Sequence, residues 1–363
     1  MPDAHSRFPL TLAIAWTLLA IYGSLYPFAG WSDSGVPLGD FLVAGWPRYF
    51  TGFDLATNIA AYVPLGFLWV AALRSRLPAH LPIVATVLAA TLIGTSLSLA
   101  TETLQNFLPS RVPSNVDLAC NALGSLLGAL AGARWSQSLL DGGRLHALRT
   151  RLLLRGTPAD AGLLLLLLWL LTQFNPETLL FGNGGLRGLL DLPTLMPYSA
   201  EGFARIEAAI VASHTLTIAL VTTLLARCWR RTLVLAIIVV ALMAKSFTFL
   251  LMMRGVAGLA WATPGSLAGL AAGLLLWLIA SPLHARWRQA LAASALLLAT
   301  ALVNLAPENP YLASTLQTWS SGQFLNFHGL TKLVSSLWPF LALPWLFLFR
   351  TESCPPSPHP PSR

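Results

Sequence analysis

Apolar residues fill this 363-residue chain in repeated blocks close to twenty residues long, separated by short connections that carry Arg, Pro and Gly. A helix of about 20 predominantly apolar residues crosses the hydrocarbon core of a bilayer, with its backbone groups paired within the segment. The pattern predicts ten such helices, over 9–28, 54–73, 82–101, 116–133, 160–174, 204–226, 232–251, 264–281, 289–306 and 330–349. The fifth is short and needs Asn175 to Leu180, or a locally thin bilayer, to complete a crossing. The expected fold class is all-α, a polytopic transmembrane helical bundle.

Composition strengthens that reading: 55% of the residues are hydrophobic and only 10% are charged, well outside the range of soluble domains. A formal net charge of +8 would suggest nucleic acid in a soluble chain, but here the Arg residues sit between apolar blocks, where orientation in the membrane accounts for them. No nucleic-acid partner is expected. With the N-terminus in the cytoplasm, fifteen Lys and Arg residues fall on the inner side and six on the outer, and Lys245 lies within a helix. That asymmetry predicts that both termini lie on the cytoplasmic side of the membrane.

The segment Met1 to Arg7 followed by an apolar run has the order of a signal peptide. The run is too long, however, and lacks a clear small-x-small cleavage site, so a retained first helix is expected. The Leu- and Arg-rich stretch from Leu145 (LHALRTRLLLRG) reads either as an amphipathic surface helix or as a basic tether. Cys120, Cys228 and Cys354 form no CxxC and no spacing that suggests a disulfide or metal framework. No phosphate loop, HExxH, GxSxG or clustered His/Cys set occurs, and GNGGLRG from Gly182 follows no strand, so no cofactor or metal is expected.

The informative positions are polar residues at the ends of apolar blocks. Asp54-Leu-Ala-Thr-Asn58 and Asp117-Leu-Ala-Cys-Asn121 repeat one another, and in each the acid and the amide share one helix face. A first-turn acid favoured by the helix dipole accounts for Asp54 or Asp117 alone. It does not account for the amide one turn deeper, which needs a partner in lipid. Between the two segments, Glu102 and Gln105 share a face at the outer end of the third block, with Arg111 as the obvious cation for Glu102. An interfacial ion pair that anchors a loop is the plainer reading of that pair. Gly124, Gly128 and Gly132 form a GxxxGxxxG face, whose ordinary meaning is close helix packing.

DLATNIAAYVPLGF from Asp54, followed after the third block by ETLQNFLPSRVPSNVDLACNALGSLLGALAG, resembles the VanZ-like family of bacterial membrane proteins. The resemblance runs from about Leu10 to Arg134 and carries over Asp54, Asn58, Pro64, Gly66, Glu102, Gln105, Pro109, Arg111, Asp117, Asn121, Gly124 and Gly128. It implies a role in the cell envelope, the family being named for low-level resistance to the glycopeptide antibiotic teicoplanin.

An internal repeat extends the pattern. Gly202-Phe203 mirrors Gly52-Phe53, Lys245 stands nine residues before Arg254 as Glu102 stands before Arg111, and Gly265, Gly269 and Gly273 give a second GxxxGxxxG. His328 and Lys332 fall where a third copy would put Asp54 and Asn58. Chance alignment of Leu/Ala/Gly-rich helices is the competing explanation. The resulting division is a four-helix unit over 1–135, a basic segment over 136–159, a diverged four-helix unit over 160–285, a two-helix unit over 286–350 and a disordered Pro-rich tail over 351–363. Lys245 needs an acid such as Glu207, or a route to the interface.

The function that fits these residues is binding or handling of a lipid or glycan precursor, or a glycopeptide antibiotic, at the outer leaflet. Its site would be Asp54, Asn58, Glu102, Gln105, Arg111, Asp117 and Asn121, with Pro64, Gly66, Pro109 and the three glycines structural. The expected partners are membrane lipids and an envelope glycolipid or glycopeptide. Rival readings are acid/base chemistry on a lipid-linked group by Glu102 with Asp54 or Asp117, a transporter or flippase, and a structural assembly partner.

Overall fold

The computed structural model describes residues 8–33, 35–46, 52–78, 80–139, 143–187, 190, 197–252, 257–307 and 321–349. The Pro-rich tail, Cys354 and the Arg residues at 7, 48 and 254 lie outside them. Among the described residues the chain forms twelve helices: α1 Phe8–Leu25, α2 Asp40–Val43, α3 Gly52–Arg74, α4 Ile83–Gln105, α5 Asn115–Leu139, α6 Arg144–Leu152, α7 Thr157–Thr172, α8 Ala200–Leu225, α9 Arg230–Met252, α10 Pro264–Ala280, α11 Ala285–Leu305 and α12 Ser321–Leu348. Every apolar block of the sequence is a helix. Eight of them are long and apolar enough to cross a membrane, whereas α7 and α10, with 16 and 17 residues, are shorter apolar helices. The protein is an all-helical, multi-pass membrane protein, and the basic stretch after α5 forms α6.

The described residues divide into two compact units. The first holds α1 to α6 and α12 as far as Val334; the second holds α7, α8, α9 to Phe249, α10, α11 and α12 from Ser335.

In the first unit α3 and α5 meet backbone to backbone. A Cβ added at Gly124, Gly128 or Gly66 would overlap a carbonyl oxygen of the facing helix, that of Ile59, Val63 and Ser125 respectively, and one at Gly132 would lie 3.0 Å from the Phe67 oxygen. Small residues are what allow such an approach where lipid offers no hydrophobic drive between helices. Trp16 Nε1 donates to the Ala61 oxygen (2.9 Å) and Trp69 Nε1 to Thr17 Oγ1 (3.1 Å), which pins α1 to α3.

In the second unit α8 is central, and α10 lies on it in the same manner. Gly265, Gly269 and Gly273 face the carbonyls of Ala204, Ala208 and Ala212. Residues 173–187, between α7 and α8, leave helical geometry although Pro176, Leu180 and Phe181 are buried. Non-helical backbone at membrane depth must be paired by protein groups, and here it is. Asn304 Oδ1 accepts from the amides of Leu186 and Arg187, and its Nδ2 donates to the Gly184 oxygen. The Asn183 amide donates to His214 Nε2 (3.2 Å), the Gly184 amide to the Ser335 oxygen (2.8 Å), and Ser336 Oγ to the Gly185 oxygen (2.9 Å).

Candidate functional site

The last turn of α4 presents Glu102 and Gln105, which are 3% and 8% exposed. The helix continues one turn beyond its last apolar block because both side chains find partners. Glu102 Oε2 accepts from the Ser114 amide (2.9 Å), and Gln105 Nε2 donates to the Ser24 oxygen (3.0 Å) at the end of α1. Ser114 caps α5, its Oγ accepting from the Asp117 amide (3.3 Å). The α4–α5 loop is thus fixed at both ends by groups that would otherwise be buried unpaired.

Arg111, in that loop, donates through Nε (2.9 Å) and Nη2 (2.5 Å) to the Tyr26 oxygen. It also interacts electrostatically with Glu102, the association expected from spacing. Burial pulls the guanidinium below its ordinary pKa, and the Glu102 carboxylate opposes that shift. Phe28, two residues beyond the accepting carbonyl, has φ +59°, a left-handed conformation that costs a bulky residue about 1–3 kcal/mol and persists only where its surroundings impose it.

The two Asp-x-x-x-Asn segments open α3 and α5 side by side. Asn58 Nδ2 donates to Asp117 Oδ1 (2.8 Å), and Asp117 lies within electrostatic range of both Asp54 and Glu102. Asn121, one turn deeper and 4% exposed, donates to Ser98 Oγ (2.9 Å) on α4. Its Oδ1 has no hydrogen-bond partner among the described residues, while the Tyr62 hydroxyl, on a side chain 3% exposed, lies within reach of the hydroxyls of Ser24, Ser98 and Thr101 and near Glu102.

Six of the seven polar positions therefore gather at one end of the first bundle, in two arrangements, and Asn121 sits one turn deeper against Ser98. Asp54, Asn58 and Asp117 form a half-buried acidic group between α3 and α5. Glu102, Gln105 and Arg111 are turned toward the α4–α5 loop and the end of α1, as a brace. Three carboxylates against one guanidinium leave the cluster net negative. Among the described residues no three His, Cys, Asp or Glu side chains stand close enough to hold a metal ion. Sequence reasoning passed over Tyr62, Ser98 and Ser114; the signal for Tyr62 was its place one turn below Asn58 on the same face.

In the second unit Lys245, 1% exposed, meets neither Glu207 nor the interface. Its Nζ donates to the oxygens of Asn175 (2.6 Å) and Thr178 (2.7 Å) and to Thr178 Oγ1 (3.2 Å). The non-helical backbone after α7 supplies the acceptors that a lipid-facing helix lacks. Residues 182–187 of the GNGGLRG run are part of that segment, held by His214, Asn304, Ser335 and Ser336.

Residues 10–135 match the VanZ/LLP1 family model. Neither a curated protein nor a solved structure gives a significant match.

Proposed function

Taking residues 10–135 as a VanZ-like domain in a multi-pass membrane protein, we propose that the chain binds a lipid or glycan precursor of the bacterial envelope, or a glycopeptide of similar chemistry, at the outer leaflet. The observation that carries this reading is the pairing of Asp54, Asn58 and Asp117 at the adjoining starts of α3 and α5, half-buried and backed by Glu102. Carboxylate oxygens in such a place accept strongly from sugar hydroxyls or an ammonium group. Deeper in the same bundle, the buried Asn121 Oδ1 has no hydrogen-bond partner among the described residues, and Tyr62 lies beside the hydroxyls of Ser24, Ser98 and Thr101. Arg111 acts chiefly on the protein itself, holding the α4–α5 loop against α1. Both termini lie in the cytoplasm and the α4–α5 loop lies outside, on the distribution of Lys and Arg.

Native mass spectrometry of protein released from its own membranes tests this reading. Wild type is expected to retain a hydroxyl- or amine-bearing lipid or glycolipid, and the Asp54→Asn/Asp117→Asn double variant at equal expression is expected to lose it. Equal retention by both proteins overturns the assignment.

A further inference from the structure

A glycan head group reaches this site either from water or along the leaflet on a lipid, and the loops beside it favour the second route. Helices α1 and α4 end at Leu25 and Gln105, while α3 and α5 begin at Gly52 and Asn115, so the α1–α3 and α4–α5 loops leave the bundle at one end. They are tied together there: the Ser32 amide donates to the Phe107 oxygen (2.9 Å) and Asn115 Nδ2 to the Ala44 oxygen (2.7 Å).

The described residues of these two loops expose large apolar side chains: Trp31 (46%), Leu38 (49%), Leu42 (47%), Val43 (85%), Trp46 (76%) and Val112 (84%). Phe41, at 7%, is turned inward and anchors α2. So many apolar side chains in bulk water would be unfavourable. At the level of the helix ends, however, Trp31 and Trp46 with the aliphatic groups between them suit the head-group zone of a bilayer, where indole rings are enriched.

We propose that Trp31, Leu38, Leu42, Val43, Trp46 and Val112 are seated in the outer head-group zone, and that the adjoining acidic site takes an amphiphile, a polyhydroxylated or amine-bearing head group on a lipid that enters along the leaflet. The ligand half of this proposal rests on the proposed function; the seating does not.

The seating is measured on full-length protein lacking Cys120, Cys228 and Cys354, with Val43→Cys or, separately, Leu38→Cys carrying an NBD fluorophore. The protein is placed in nanodiscs of phosphatidylethanolamine and phosphatidylglycerol. Both labels are expected to emit to the blue of NBD in water, and to be quenched at least threefold more by head-group nitroxide lipid than by aqueous iodide. Preferential quenching by iodide overturns the seating. Shielding from both quenchers, as a second copy of the chain would give, overturns it as well.

The double variant above separates the two halves. A water-exposed label with site-dependent lipid retention removes the seating and leaves the proposed function standing. A label in the head-group zone with no site-dependent lipid removes the ligand class and the proposed function together.

Discussion

Glu102 and Arg111 interact, yet the structure gives them different tasks, and substitution separates these. The Glu102 carboxylate accepts from the Ser114 amide at the entrance to α5, and a glutamine carbonyl can accept the same bond without the charge. Glu102→Gln is therefore expected to fold and to retain co-purifying lipid. Arg111→Ala removes the forked, charge-assisted contact to the Tyr26 oxygen, worth about 1.5–3 kcal/mol in all, and leaves Glu102 without its cation. It should lower the melting temperature in detergent and reduce lipid retention. Envelope function compared at matched expression provides the decisive check. If Glu102→Gln abolishes it while Arg111→Ala preserves it, proton transfer by Glu102, and not binding, is the activity of this site.

At the scale of elements, the glycine faces set how closely helices meet. A leucine at Gly128 would drive a side chain into the Val63 carbonyl and part α3 from α5, whereas Gly23 has nothing within 4 Å of an added Cβ. Gly128→Leu is expected to lower thermal stability by several degrees and to separate Asn58 from Asp117, with Gly23→Ala close to neutral; melting curves in detergent decide this.

Residues 173–187 make the complementary case. Asn304→Leu removes acceptors for the Leu186 and Arg187 amides and a donor to the Gly184 oxygen. A buried backbone group left unpaired costs about 1–3 kcal/mol. Faster hydrogen exchange at those two amides is the expected signature, and unchanged exchange would refute the role given to Asn304.

These two elements also mark how far the sequence could be read. Apolar blocks and GxxxGxxxG are local signals, so ten helices and the α3–α5 contact were visible from spacing alone. The ends of α4 and α7 were not. Whether a helix continues through Glu102 or stops at Thr172 depends on partners such as Ser114, Lys245 and Asn304, which come from elsewhere in the chain. In the same way, Asp54, Asn58 and Asp117 could be nominated from their spacing, but the turning of Gln105 and Arg111 toward α1 depends on the carbonyls of Ser24 and Tyr26, which carry no side-chain signature.

Across the whole molecule, the proposed outer site depends on orientation, and orientation depends on where the arginines lie. The α5–α7 connection carries Arg144, Arg149, Arg151 and Arg155, whereas the α4–α5 loop carries Arg111 alone. The positive-inside rule counts short connections of this kind, and the orientation proposed from it has α6 in the cytoplasm and Pro109 to Ser114 outside. Ser110 and Ala147 are both exposed, so each tolerates a cysteine in a background lacking Cys120, Cys228 and Cys354. An impermeant maleimide applied to intact cells, or to spheroplasts where an outer membrane intervenes, is expected to label Ser110→Cys at once and Ala147→Cys only after lysis. The opposite order would place Asp54, Asn58 and Asp117 on the cytoplasmic face. An outer-leaflet precursor would then be out of reach, whatever the geometry of the carboxylates.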